Sequence, residues 1–152
     1  MSREMSCCKD VQIFFVNIAE LILIIIIAGL IADAVCFDCY YHLYKNQFIN
    51  GVVYGFLIIA CFVVLEFYIP DRYSCLWHFI VALMGAILFF VVAILVLDYL
   101  SRYPNYADSS IFIRLIFAGV FCLILSALFV FNTMLFSTRE ECCEPIENAR
   151  CW

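Results

Sequence analysis

FIVALMGAILFFVVAILVL, Phe79 to Leu97, is a run of nineteen consecutive uncharged residues. As an α-helix it would be about 28 Å long, which matches the hydrocarbon thickness of a bilayer. His78 stands at its entry and Asp98 at its exit. Beyond Asp98 come Tyr99, Arg102, Tyr103, Pro104, Asn105 and Tyr106, a polar and aromatic mixture suited to a membrane interface. The stretch therefore predicts a spanning helix over 75–98.

Working outward, Pro70, Asp71 and Arg72 form a tight polar break. Before it lies a second apolar segment, expected as a helix over 48–69, with Asn50, Gly51 and Gly55 near its start and Glu66 near its end. A turn this short makes the two helices antiparallel neighbours. On the far side, Ser109 or Ser110 is placed to cap a further helix over 110–136, which carries Arg114 in its first turns and Gly119, Ser126 and Asn132 further on.

The first apolar segment is the least simple. LILIIIIAGLIA, Leu21 to Ala32, has twelve residues and is too short to cross alone, but a helix over 11–34 reaches the required length if Glu20 is carried inside. Asn17 and Glu20 share one face of it, and Ala28 with Ala32 offers a shallow strip for a neighbouring helix. The chain thus reads as all-α, a single membrane domain built as an antiparallel four-helix transmembrane bundle, with short polar tails at 1–10 and 139–152.

Composition agrees. The chain is 152 residues long, 68% hydrophobic and 14% charged, with a mean hydropathy of +1.09, far from the balance of a water-soluble domain. The net charge of -5 says little about partners, because Glu140, Glu141, Glu144 and Glu147 crowd the C-terminal tail and other acids border or enter the apolar segments. Eight basic residues without an aromatic-rich cluster exclude a nucleic-acid surface. No Ser/His/Asp set, phosphate-cradling glycine loop or glycosylation sequon is present, so neither an enzyme nor a cofactor is expected and no soluble substrate is evident.

Four spans put both termini on one side. That side carries Arg3, Lys9, Arg72, Arg139 and Arg150 against Lys45, Arg102 and Arg114 on the other, so cytosolic termini are expected by five to three. Cys7 with Cys8, and Cys142 with Cys143, are adjacent juxtamembrane pairs of the kind that accept palmitate on cytosolic faces. With this orientation the unusual residues fall into two layers. Glu20, Glu66 and His78 lie toward the termini; Asp33, Asp98 and Arg114 lie toward the opposite face.

In the outer layer the expected arrangement is an ion pair of Arg114 with Asp98 or Asp33, fixing helices three and four, or else interfacial snorkelling of Arg114. In the inner layer Glu20 should face the bundle, protonated or hydrogen-bonded to Asn17, His78 or a polar group of a neighbouring helix. Glu20, Glu66 and His78 are of the types that carry protons, which raises a small ion or proton channel or transporter as one alternative. Cys36 and Cys39 form a CxxC spacing in the first loop, read as a disulfide, as unpaired thiols or as a redox pair. His42 is the single nearby histidine, too few ligands for zinc, so no metal is expected. Cys61 and Cys122 are expected as small packing residues, and Gly51, Gly55 and Gly119, with Ala28 and Ala32, as helix-packing positions.

In layout this chain resembles the MARVEL-type tetraspan proteins of junctions and vesicles. The shared features are four helices, two cytosolic tails, the minimal Pro70–Arg72 turn and modest outer loops. The 35–47 connection is too short and lacks the tryptophan of a claudin-like first loop, and 102–109 lacks the Cys-Cys-Gly motif of a tetraspanin-like second loop. The resemblance implies a non-enzymatic organiser of membrane contacts, junctions or vesicle traffic, at the plasma membrane or on endomembrane vesicles. Its partners would be the lipid bilayer and, through lateral packing, itself or other membrane proteins.

Overall fold

The structure, a computed structural model, describes residues 2–32, 43–66, 75–102 and 109–137. They form four α-helices: α1 Ser2–Ala32, α2 Leu43–Glu66, α3 Cys75–Arg102 and α4 Ser109–Ser137. Each contains a stretch long and apolar enough to cross a membrane: Gln12–Ala32, Lys45–Leu65, Leu76–Ser101 and Phe112–Ser137. No strand occurs among the described residues.

Three helix limits differ from the sequence expectation for a physical reason. The helix of α1 begins at Ser2, so the polar segment expected as a tail continues the first span as regular helix. That continuation moves the unpaired N–H groups of the first helical turn away from the start of the apolar part at Gln12. Likewise α2 starts at Leu43 rather than Phe48 and α3 runs on to Arg102. Both additions are polar or aromatic turns that stand at the boundary, where long side chains can reach water.

Neighbouring helices run antiparallel. The first part of the α1 span meets the end of α4 through Asn17, Glu20 and Asn132, and the start of α2 meets the end of α3 through Lys45 and Asp98. The α3–α4 interface is the most extensive and the α2–α3 interface the least, with α1 packed on both α2 and α4. The bundle is closed at its centre by Phe56, Phe89 and Phe129. Phe56 meets Phe89 edge-on at 5.4 Å and Phe129 edge-on at 5.8 Å, while Phe89 and Phe129 stack at 5.8 Å.

Buried positions recur every three or four residues, as along Ala82, Ala86, Phe89, Val92, Ala93, Val96 and Leu100 of α3. This alternating three- and four-residue spacing is the pattern of a helix-bundle seam. Large apolar side chains such as Ile22, Phe62, Leu76, Phe90 and Met134 point outward. In hydrocarbon that exposure carries no penalty, so packing rather than hydrophobic burial decides which face turns in.

The close-packing glycine is Gly85. A Cβ there would lie 2.9 Å from ring atoms of Phe129. Gly119 is also buried, and a Cβ on it would reach ordinary contact with Leu97 at 3.4 Å. Gly51 and Gly55, expected as packing positions, have no atom within 4 Å of such a Cβ. Their strip takes no part in packing among the described residues. Ala28 is buried on α1, whereas Ala32 is exposed.

Gly85→Ala should therefore destabilise the bundle by about 1–3 kcal/mol, the usual cost of overpacking a tight contact. Gly55→Ala should be neutral or slightly stabilising, because alanine is the better helix former by roughly 1 kcal/mol and meets nothing. Reversible unfolding in mixed detergent–lipid micelles measures both, and equal losses would contradict the assignment.

Candidate functional site: a buried polar cluster between helices one and four

Asn17 and Glu20 occupy one face of α1, and Asn132 lies on the facing side of α4 near its end. All three are buried: Asn17 is 3%, Glu20 4% and Asn132 2% exposed. The Asn132 side-chain amide donates both of its hydrogens. One goes to Asn17 Oδ1 at 2.8 Å and the other to Glu20 Oε1 at 3.0 Å. Among the described residues, Asn17 Nδ2 and Asn132 Oδ1 are buried with no hydrogen-bond partner.

In hydrocarbon an unpaired polar group is costly, so polar side chains on spanning helices turn inward and find each other. Asn132 does this for two α1 residues at once. The same end of the bundle holds His78, which is 2% exposed and stacks on Phe136 at 5.6 Å with the rings 15° apart. Asn17, Glu20, His78 and Asn132 line one cavity with Phe56, Ile59, Ala60 and Val63 of α2, Val81 and Ala82 of α3, and Phe129 and Phe136 of α4. Its volume of about 20 Å³ is room for one water molecule.

Toward the opposite face the core is apolar: Phe89, Val92, Ala93, Ala118, Cys122 and Leu125 are all fully buried. One further polar contact crosses α3 and α4 there, Ser126 Oγ donating to the Ala86 carbonyl at 2.8 Å. At the far end Lys45 Nζ lies 3.3 Å from Asp98 Oδ2, with the side chains 44% and 31% exposed.

Of the residues singled out in the sequence, the structure brings Glu20 and His78 into one cavity lining. It supplies Glu20 with Asn132 rather than with Asn17 directly. Asp98 pairs with Lys45 and so ties α3 to α2, a partner that the expected helix start at Phe48 had placed in a loop. Arg114 stands on the exposed side of α4. Glu66 is the last residue of α2, and its side chain, like those of Cys7 and Cys8 in α1, lies outside the described residues. Asp33, Cys36, Cys39, His42, Cys142 and Cys143 lie outside them altogether. Cys122 is buried as a packing residue, whereas Cys61 faces outward. Among the described residues no group of three or more His, Cys, Asp or Glu could hold a metal ion.

Asn132→Leu should destabilise the bundle by about 1–3 kcal/mol, because it strands the Asn17 carbonyl and Glu20 without their donor. A double-mutant cycle of Asn17→Val with Asn132→Leu should return a coupling of about 0.6–2 kcal/mol, the range of interhelical hydrogen bonds in membranes. A coupling of zero would remove the clamp. Lys45→Met should cost at most about 1 kcal/mol, since the pair is partly exposed, and the loss should shrink as salt is raised.

No family model matches the chain, and no curated protein or solved structure matches it either. The four-helix membrane architecture therefore rests on the chain's own residues.

Proposed function

We propose that this chain is a non-enzymatic tetraspan membrane protein that organises membrane contacts, junctions or vesicle traffic by lateral association of its helices. The observation that carries this reading is the outer face of α2. Gly51 is exposed and Gly55 half-buried, and neither has a neighbouring atom within 4 Å of a Cβ position. Two glycines four residues apart on a lipid-facing surface let another helix approach closely, which is how helices associate where no hydrophobic force acts between them.

The interior gives further support. Asn17, Glu20, Ser126 and Asn132 bond to one another or to backbone within the bundle, and among the described residues the aromatic centre of Phe56, Phe89 and Phe129 with the apolar layer beyond it interrupts any polar route across the membrane. A bundle of this kind is a rigid unit with an unused surface. Palmitate on Cys7, Cys8, Cys142 or Cys143 would add to its affinity for particular lipid environments, and the MARVEL-type layout suggests a junctional or vesicular address with cytosolic termini.

Crosslinking and native electrophoresis in mild detergent test the proposal. The wild-type chain should be recovered as an oligomer or with a membrane partner. Gly51→Ile with Gly55→Ile should weaken that association roughly five-fold, equivalent to about 1 kcal/mol of helix packing, without destabilising the monomer. A wild-type chain that is strictly monomeric and recovers no partner would overturn the reading.

A further inference from the structure

We infer that Asn17, Glu20 and Asn132 form a proton-binding site in which one proton on Glu20 is exchanged together with a rotation of both asparagine amides. The inference does not depend on the lateral-association reading. It starts from the geometry of three side chains that meet at one amide.

In the arrangement described above, Asn132 Nδ2 donates to Asn17 Oδ1 at 2.8 Å and to Glu20 Oε1 at 3.0 Å. Both acceptors are oxygens, and the carboxyl oxygen needs no proton of its own. An amide turned by half a rotation about its terminal bond exchanges its oxygen and nitrogen at nearly the same positions. With both asparagines turned, Asn132 Oδ1 sits between Asn17 Nδ2 and Glu20 Oε1. Asn17 then donates to one lone pair of that oxygen. The second lone pair can only be met if Glu20 Oε1 carries a proton and donates it.

The two arrangements contain the same number of interhelical hydrogen bonds and differ by one proton. Asn17 Nδ2 and Asn132 Oδ1, which lack partners in the first, become the bonded pair in the second. The amide atoms they replace then take their place in the buried lining. A cavity of about 20 Å³ beside these groups accommodates one water. Water both accepts and donates, and so it suits either arrangement.

The surroundings leave few competitors for the proton. From α2 the cavity is lined by Phe56, Ile59, Ala60 and Val63, none titratable; from α3 it is lined by His78, Val81 and Ala82; from α4 by Phe129, Asn132 and Phe136. Among the described residues His78 is thus the second titratable group facing the site. Glu20 lies eight residues inside the start of its span at Gln12, about 12 Å of helical rise, so the nearer aqueous phase, from which the proton comes, is on the side of the start of α1 and the end of α4.

Infrared difference spectroscopy of the full chain in lipid bilayers, recorded across a pH titration, tests this. The expected result is a protonated-carboxyl C=O band that falls as pH rises and is missing in Glu20→Gln. The side-chain amide bands, identified by ¹³C,¹⁵N-asparagine labelling, should shift in the same titration. Should Glu20→Gln fail to fold, solid-state ¹⁵N spectra of the labelled wild-type asparagines read the same event without a variant, as two amide environments exchanging with pH. His78→Phe should retain the coupled transition. The inference is overturned if no such carboxyl band titrates while the protein stays folded. It is equally overturned if the band titrates while the amides stay fixed, which would place the proton on Oε2, or if the transition disappears in His78→Phe.

Discussion

The bundle depends on one amide. Asn132 gives both hydrogens of its side chain to α1, and it does so inside a hydrocarbon layer, where bulk water is not at hand to replace a lost partner of Asn17 or Glu20. A two-pronged contact between residues 112 and 115 positions apart in the sequence fixes the height of α1 against α4 as well as its rotation. A slide of one helical turn would leave a carboxyl and two amides unpaired. The adjacent features follow from that registration: His78 stacked on Phe136, and a water-sized cavity lined from all four helices.

Elsewhere, steric fit takes over from hydrogen bonding. Helices in lipid gain nothing by hiding apolar surface from tails that are just as apolar, so association follows from how closely backbones can approach. The α3–α4 pair shows this. Gly85 admits the ring of Phe129, and one turn away Ser126 reaches the Ala86 carbonyl at 2.8 Å. A larger residue at Gly85 would push the two helices apart and lengthen that hydrogen bond. The same interface buries Ala82, Ala86, Ala93 and Ala118, small residues that keep it the broadest in the molecule. Between α2 and α3 the contacts are sparser, and the far end is held by the Lys45–Asp98 pair, whose partial exposure limits its strength.

The four spans were legible because the signal is one of length: nineteen uncharged residues from Phe79 to Leu97 have few other uses. Which face of each helix turns inward was not legible in the same way. The spans are apolar all round, so the contrast between wet and dry faces that marks a soluble helix is missing. Spacing of small residues was the remaining cue. It pointed to Gly51 and Gly55, which face away from the bundle, and passed over Gly85, a single glycine whose meaning lies in a phenylalanine on another helix. Glu20 was recognisable as a buried acid that needed a partner. Asn132 was visible as a polar point on the fourth helix, but nothing local to either residue joins them. Lys45 was hidden by a boundary effect, since an expected start at Phe48 left it in a loop.

Helix α2 links the two properties that the chain's residues suggest. Its inward face supplies Phe56 to the aromatic centre and Ile59, Ala60 and Val63 to the cavity, whereas its outer face carries Gly51 and Gly55. A helix is stiff along its length, so it cannot shift against the cavity without moving the glycine strip by a similar amount. α2 is also the helix with the least hold on α3, its other neighbour being α1, which bears Glu20 and Asn17. The polar cluster and the outer surface are therefore separated by one rigid element rather than by the whole bundle, and a change of hydrogen bonding at Glu20 has a short mechanical route to the face that carries Gly51 and Gly55.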